Sequence, residues 1–302
     1  MSSQPAILAS SLTESKLSDF EIQRKLGNGK YGDVYAAVHS SGSMVAVKVV
    51  QLANVAKEEA RIMAMLKDLE CVPKLFCFKV QGDRSYIVMS KGYASLDAMR
   101  KKNVLRTFAP PTMLRLISQG VKALKAVHEL NIVHRDIMLT NFIISAPSGP
   151  NNDVSLQLID FGLAAEIRDM DGSIKKNLGD FCLSTHAFAS PDVMHGGTPA
   201  PRDDLFMHSY AVMMMSGHDM AEFQEKTVRV FKFKMNLKQN TAQFLPKACS
   251  YLHPYFETVY SLPDLHDIDY NAVLDSIAAC IPGMDLNGPL RLTRKFHEMV
   301  LL

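Results

Sequence analysis

The chain has 302 residues, 47% of them hydrophobic and 21% charged, with Lys+Arg 33 balanced against Asp+Glu 31. That balance excludes a general nucleic-acid-binding surface, and the ordinary apolar fraction excludes wholesale disorder. No apolar run approaches the ~20 residues of a membrane-spanning helix, no basic-then-apolar leader opens the sequence, and the five cysteines include no C-x-x-C pair. A cytoplasmic, or else nuclear, protein without disulfides or a zinc knuckle is expected, with no nucleic-acid or membrane partner. Eighteen methionines and no tryptophan point to soft filling of the core.

Residues 1–17 are small and polar and are expected to form a flexible extension. Residues 20–89 read mainly as strands, over 20–26, 34–38, 44–50, 74–80 and 85–89. Ser40-Ser-Gly42 and Gln81-Gly-Asp83 supply turns. One helix interrupts, over 55–66, where Val55, Ile62, Met63 and Leu66 share a face. After Gly92 the character becomes helical. Pro110-Pro111 opens a helix that carries Leu114, Ile117, Val121, Leu124 and Val127 at close to 3.6-residue spacing and ends near Asn131. Two short β-like pieces, 141–145 and 156–159, flank the loop 146–153, and the remainder reads as helices and loops. Residues 295–302 read as a last amphipathic turn or as a docking tail, the turn being preferred. No internal repeat is present. The organisation is α+β: a small β-rich lobe over 18–91, then a larger helical lobe over 92–302.

Gly27-Asn-Gly29-Lys-Tyr-Gly32 is a G-x-G-x-x-G. A dinucleotide site needs a helix after the third glycine, to hold a pyrophosphate at its N-terminus. Asp33-Val-Tyr-Ala-Ala-Val38 follows instead and reads as strand, so this is a glycine hairpin whose backbone can approach phosphate oxygens. Val45-Ala-Val-Lys48 places a lysine in an apolar strand, where an inward charge needs a partner. Glu59, eleven positions later, is preferred over the adjacent Glu58 because Ile62, Met63 and Leu66 follow it at helical spacing. His134-Arg-Asp136 with Asn141 fits H-R-D-x-x-x-x-N, and Asp160-Phe-Gly162 follows Asp136 by 24 residues.

These four motifs, in this order, resemble the eukaryotic protein kinase family over roughly residues 20–285. The resemblance implies a bilobal kinase fold, ATP and Mg2+ as cofactors, and protein substrates with Ser/Thr acceptors, acted on by a monomer. It implies that Asp136 orients the acceptor hydroxyl and takes its proton, that Asn141 and Asp160 hold magnesium, and that Lys48, paired with Glu59, neutralises nucleotide phosphates. Gly27, Gly29, Gly32, Val34, Ala46 and Met89 would complete the nucleotide site, Met89 either gating the adenine pocket or serving as a core methionine. His134 is expected to pack and hydrogen-bond rather than act as a base. Arg135 is expected to contact an anion on the activation segment or to form a structural salt bridge.

Three stretches resemble the casein kinase 1 superfamily, especially its tau-tubulin kinase-like branch. They are Asp160-Phe-Gly-Leu-Ala164 with Asn141-Phe142, Ser184-Thr-His-Ala-Phe-Ala-Ser190, and Arg202-Asp-Asp-Leu205. The last places Asp204 as a buried brace for the catalytic loop, and Thr185 matches a threonine that hydrogen-bonds near Asp136. Two departures bear on activity. Met138 stands where serine/threonine kinases carry a lysine that contacts the γ-phosphate, and Ala187 replaces an arginine that helps bind an anion. A divergent serine/threonine kinase is therefore the leading expectation, and a pseudokinase, binding nucleotide or partners without phosphotransfer, is the alternative.

Overall fold

A computed structural model describes residues 17–29, 31–176, 178, 188–218, 227–263, 266–295 and 298–301. The expected extension over 1–17 lies outside them except for Leu17. The chain divides into two compact units: residues up to Gly92 together with Ile159–Gly162, and the rest.

The first unit is built on an antiparallel sheet of β1 (Phe20–Asn28), β2 (Gly32–His39), β3 (Met44–Val50), β4 (Leu75–Gln81) and β5 (Arg84–Ser90), in the order β1-β2-β3-β5-β4. Helix α1 (Ala53–Met65) packs against β4 and β5. The sheet is therefore covered on one face by a helix, and the central strand β3 is buried along most of its length. Side chains alternate along β3. Val45 and Val47 join Phe20, Ala37, Cys77 and Val88 in one apolar cluster. Ala46 and Lys48 consequently point to the other face, Ala46 opposite Ala36 and Met89, Lys48 opposite Val34 and Ile87. Every strand and the helix expected in this region are present, within two residues at each end.

The second unit opens with β6 (Ala94–Ser95) and α2 (Leu96–Lys102), followed by the long helix α3 (Pro110–Glu129). Two prolines start α3 where their missing N–H groups have no helical acceptor to lose. Short strands β7 (Ile132–Val133), β8 (Phe142–Ile144), β9 (Asp153–Val154), β10 (Leu156–Leu158) and β11 (Ala165–Glu166) follow. β8 pairs with β6 and β10, and β7 pairs with β11. Then come α4 (Pro191–Met194), α5 (Pro201–Met215), α6 (Thr227–Gln239), α7 (Thr241–Phe244), α8 (His253–Tyr260) and α9 (Tyr270–Cys280).

Helix α5 is the core of this unit: every residue but Met214 is buried. Its methionines Met207, Met213 and Met215 supply the soft packing that composition suggested. Where α3 crosses α5, Gly120 leaves room for the His208 ring; a Cβ there would lie 2.3 Å from His208 Nε2.

The C-terminus differs from expectation. Among the described residues of this segment, β12 (Leu290–Lys295) pairs antiparallel with β13 (Glu298–Leu301), where a turn was expected, and β12 also pairs with β9. The signal is a period of two, with Leu290 and Leu292 both buried. Arg115 and Lys122 on α3 hold the preceding loop, through the Asp285 carbonyl at 3.2 Å and Asn287 Oδ1 at 2.8 Å.

His208 couples this core to pH. Its ring is fully buried, bonds Tyr255 Oη through Nδ1 at 2.8 Å, and meets Phe142 edge to face. Burial pushes its pKa down from 6.5 to about 3. Between those values the unfolded chain binds more protons than the folded one, so stability falls as pH drops through 6.5. Urea titrations should show wild type losing about 2 kcal/mol more than His208→Gln between roughly pH 7 and pH 5. Parallel losses in the two proteins would contradict this.

Candidate active site

Each unit carries its own part of the motif set. In the first, the Lys48 ammonium touches both Glu59 carboxylate oxygens at 2.7 Å and Asp160 Oδ1 at 2.6 Å. Lys48 and Glu59 are almost wholly buried, and Asp160 is about a quarter exposed. Burial alone would depress the Lys48 pKa, but the two carboxylates outweigh it and hold the ammonium above its usual value. Burial, together with the like charge of Asp160, raises Glu59, and Lys48 opposes that shift. Of the two candidate partners Glu59 is the one engaged; Glu58 faces solvent and pairs with Arg61 at 2.7 Å. Helical register decides this, since Glu59 shares its face with the buried Ala56, Ile62 and Met63.

The three glycines serve different ends. Gly27 has open space where a side chain would project. At Gly29, whose N–H bonds the Gly32 carbonyl at 2.8 Å, a Cβ would press on Asp160 Oδ2 at 3.3 Å. Gly32 is required by the sheet, because a Cβ there would stand 2.1 Å from the Val49 carbonyl oxygen. Gly162 is hemmed by Glu59 Oε2 at 3.2 Å and Asp160 Oδ1 at 3.3 Å. Asp160 itself holds a left-handed backbone, φ +64°, a conformation non-glycine residues adopt at a cost and which aims its carboxylate at Lys48.

In the second unit the catalytic-loop motif is braced from below. Asp204 Oδ2 accepts the His134 N–H at 2.7 Å and contacts His128 Nε2 at 2.9 Å, while Oδ1 accepts the Arg135 N–H at 2.8 Å. Tyr270 Oη in turn meets His128 Nδ1. Burial works against the Asp204 charge, yet the His128 ring and the His134 N–H hold the carboxyl below its ordinary value. Above the brace, Asn141 Nδ2 donates to Asp136 Oδ2 at 2.9 Å and to the Asp136 carbonyl at 2.8 Å. The amide oxygen of Asn141 is thereby left as the acceptor end of that side chain. His134 is fully buried, as expected of a packing residue.

Arg135 is buried in the loop. With φ +67° it turns its guanidinium onto backbone carbonyls, Nε to Leu163 and Nη1 to Leu178 at 2.8 Å. Ile137 and Leu139 are buried, so Asp136 and Met138 alternate to the more open side of the loop. Met89 is buried on β5. Thr185, Ser184 and Ala187 lie outside the described residues.

A further set of anchors went unread in the sequence. Ser190 Oγ donates to Asp203, which also accepts the Ala200 N–H at 2.7 Å. Asp192 takes Arg202 at 2.6 Å and Lys238 at 3.2 Å. The buried Lys234 donates to the Ala189 carbonyl and lies 4.7 Å from the Tyr210 ring centroid, and burial lowers its pKa to about 7. The signal was the charge pairing of Ser190-Pro-Asp192 with Arg202-Asp-Asp204. Of these residues the family resemblance assigns a role to Asp204 alone.

Residues 20–257 match the protein kinase domain. The chain belongs to the protein kinase family. Among named relatives, it is 31% identical over 160 residues to the probable serine/threonine-protein kinase zyg-1 of Caenorhabditis briggsae, covering 51% of this chain and 21% of that protein. It is 26% identical over 215 residues to the probable serine/threonine-protein kinase fnkE of Dictyostelium discoideum, covering 66% and 16%. A further probable serine/threonine-protein kinase from the same organism is 30% identical over 159 residues, covering 51% and 32%. The chain thus spans a third or less of the length of these relatives.

The buried ion cluster makes a definite energetic demand. Lys48→Met leaves a carboxylate interred without its cation, and should cost about 3–5 kcal/mol of unfolding free energy. Lys48→Met with Glu59→Met should recover most of that loss, as measured by urea unfolding of both singles and the double. Strict additivity would show that the two side chains do not act as a pair.

Proposed function

We propose that this chain is a divergent serine/threonine protein kinase of the casein kinase 1 type, transferring the γ-phosphoryl group of ATP to protein hydroxyls. The observation that carries the reading is the preservation of both parts of the machinery: Lys48 fixed by Glu59 and Asp160, and Asp136 fixed by Asn141. Lys48 and the backbone around Gly27 and Gly29 hold the nucleotide phosphates. Val34, Ala46 and Met89 line the adenine. Asp136 orients the substrate hydroxyl and takes its proton as the oxygen bonds the γ-phosphorus and the bond to the β-phosphate oxygen breaks, releasing ADP. Asn141 and Asp160 would hold magnesium, which would neutralise charge on the phosphates.

Catalysis in this reading runs short of one cation. Met138 offers a thioether where a lysine would meet the γ-phosphate, and losing one preorganised contact costs roughly a hundred- to a thousandfold in rate. Binding is spared, because Lys48, Asn141, Asp160 and the glycines remain. The position of Met138 beside Asp136 is also the observation favouring the second reading, a pseudokinase that binds nucleotide or partners without transfer.

Transfer of label from γ-labelled ATP with magnesium to an acidic protein substrate separates the two. The kinase reading expects weak labelling by wild type, none by Asp136→Asn, and a gain of about a hundredfold or more in Met138→Lys. Wild type as silent as Asp136→Asn would make the native chain a pseudokinase. Silence in all three would remove phosphotransfer altogether.

A further inference from the structure

The turn between α2 and α3 carries a surface that phosphotransfer does not use. The Asn103 carbonyl accepts the Arg106 N–H at 2.8 Å, making Val104 and Leu105 the central residues of a β-turn. Asn103 Nδ2 donates to the Thr107 carbonyl at 2.8 Å, and Arg100 Nη1 to the Arg106 carbonyl at 3.2 Å. The turn is therefore built in advance. Its tip is bare: Val104 is 98% exposed and Leu105 80%. Turn centres ordinarily take Gly, Pro, Asn, Asp or Ser. Here a β-branched valine and a leucine precede Arg106 at φ +51°. These side chains serve neither the turn nor the core, so folding does not account for them.

The surroundings are cationic. Arg100, Lys101, Lys102 and Arg106 fall within seven residues. Asp97 on the same helix offsets part of this charge, taking Arg100 at 3.0 Å and Lys101 at 2.7 Å. Lys102 lies 5.8 Å from the Tyr93 ring centroid.

We propose that this turn docks the protein reversibly on an anionic lipid surface, Val104 and Leu105 entering the acyl boundary and the cations resting among the headgroups. The chemistry favours lipid over protein. Protein contacts are anchored by aromatic residues and arginine seated in pockets, with leucine and valine under-represented. Two bare aliphatics inside a basic collar match a bilayer boundary, where apolar insertion and charge attraction add. Such a device contains no long apolar run, the feature on which the expectation of no membrane partner rests. The inference stands independently of phosphotransfer.

The test is co-sedimentation of the full chain with vesicles of phosphatidylcholine, alone or containing about one third phosphatidylserine. Binding is expected only with phosphatidylserine and should weaken as salt is raised. The pairs Val104→Ser/Leu105→Ser and Lys101→Gln/Lys102→Gln, all at exposed positions, should each lower the partition coefficient about tenfold with unchanged melting temperature. Equal partitioning onto both vesicle types, or binding unaffected by Val104→Ser/Leu105→Ser, would overturn the proposal. Self-association abolished by that variant, without vesicle binding, would overturn it in favour of a protein contact.

Discussion

A single buried carboxylate holds the catalytic loop in place. Asp204 sits on a helix that is itself the core of its unit, and both its oxygens accept backbone N–H groups from the H-R-D motif. A charge so placed is tolerable because donors meet both of its oxygens. His128 supplies one of those donors from α3, and Tyr270 fixes the His128 ring from α9. Three helices thus converge on one carboxylate, and the loop that carries Asp136 inherits their rigidity. Arg135 extends the arrangement outward through the Leu163 and Leu178 carbonyls.

The first unit answers a different problem, the burial of a lysine in a sheet. Alternation along β3 sends Lys48 away from the valine cluster, and the register of α1 delivers Glu59 to meet it. Asp160 completes the cluster from a left-handed backbone conformation that is uncommon outside glycine and that Asp tolerates better than most residues. Gly162 and Gly29 lie against the same carboxylates because nothing larger than hydrogen fits comfortably there. Local strain and lost side chains are thereby concentrated where phosphate chemistry is proposed, as expected when function overrides local preference.

Much of this was legible in the sequence because it rests on short-range patterns. The strand around Lys48, the helix bearing Glu59 and the helix opened by Pro110-Pro111 each show a period matching their structure. The spacing of Asp136 and Asn141 likewise corresponds to a hydrogen bond within one loop. What stayed hidden depends on tertiary partners. Leu290 and Leu292 alternate over too few residues to announce a strand, and their pairing with β9 spans more than 130 positions. His128 and Tyr270 are unremarkable helix residues until α3 and α9 meet. The backbone carbonyls of Leu163 and Leu178 that Arg135 reaches lie 28 and 43 positions away and carry no mark in the sequence. Gly32 kept its place in the glycine motif for the sake of the neighbouring strand.

The central claim is that the nucleotide-handling parts remain intact although the catalytic loop lacks a cation at Met138. Calorimetric titration with ATP, in magnesium and then in its absence, addresses that claim without requiring turnover. Saturable binding to one site, strengthened by magnesium and weakened about tenfold or more in Asp160→Asn, is the result the account predicts. No heat of binding from a folded wild-type chain, in either condition, would contradict it.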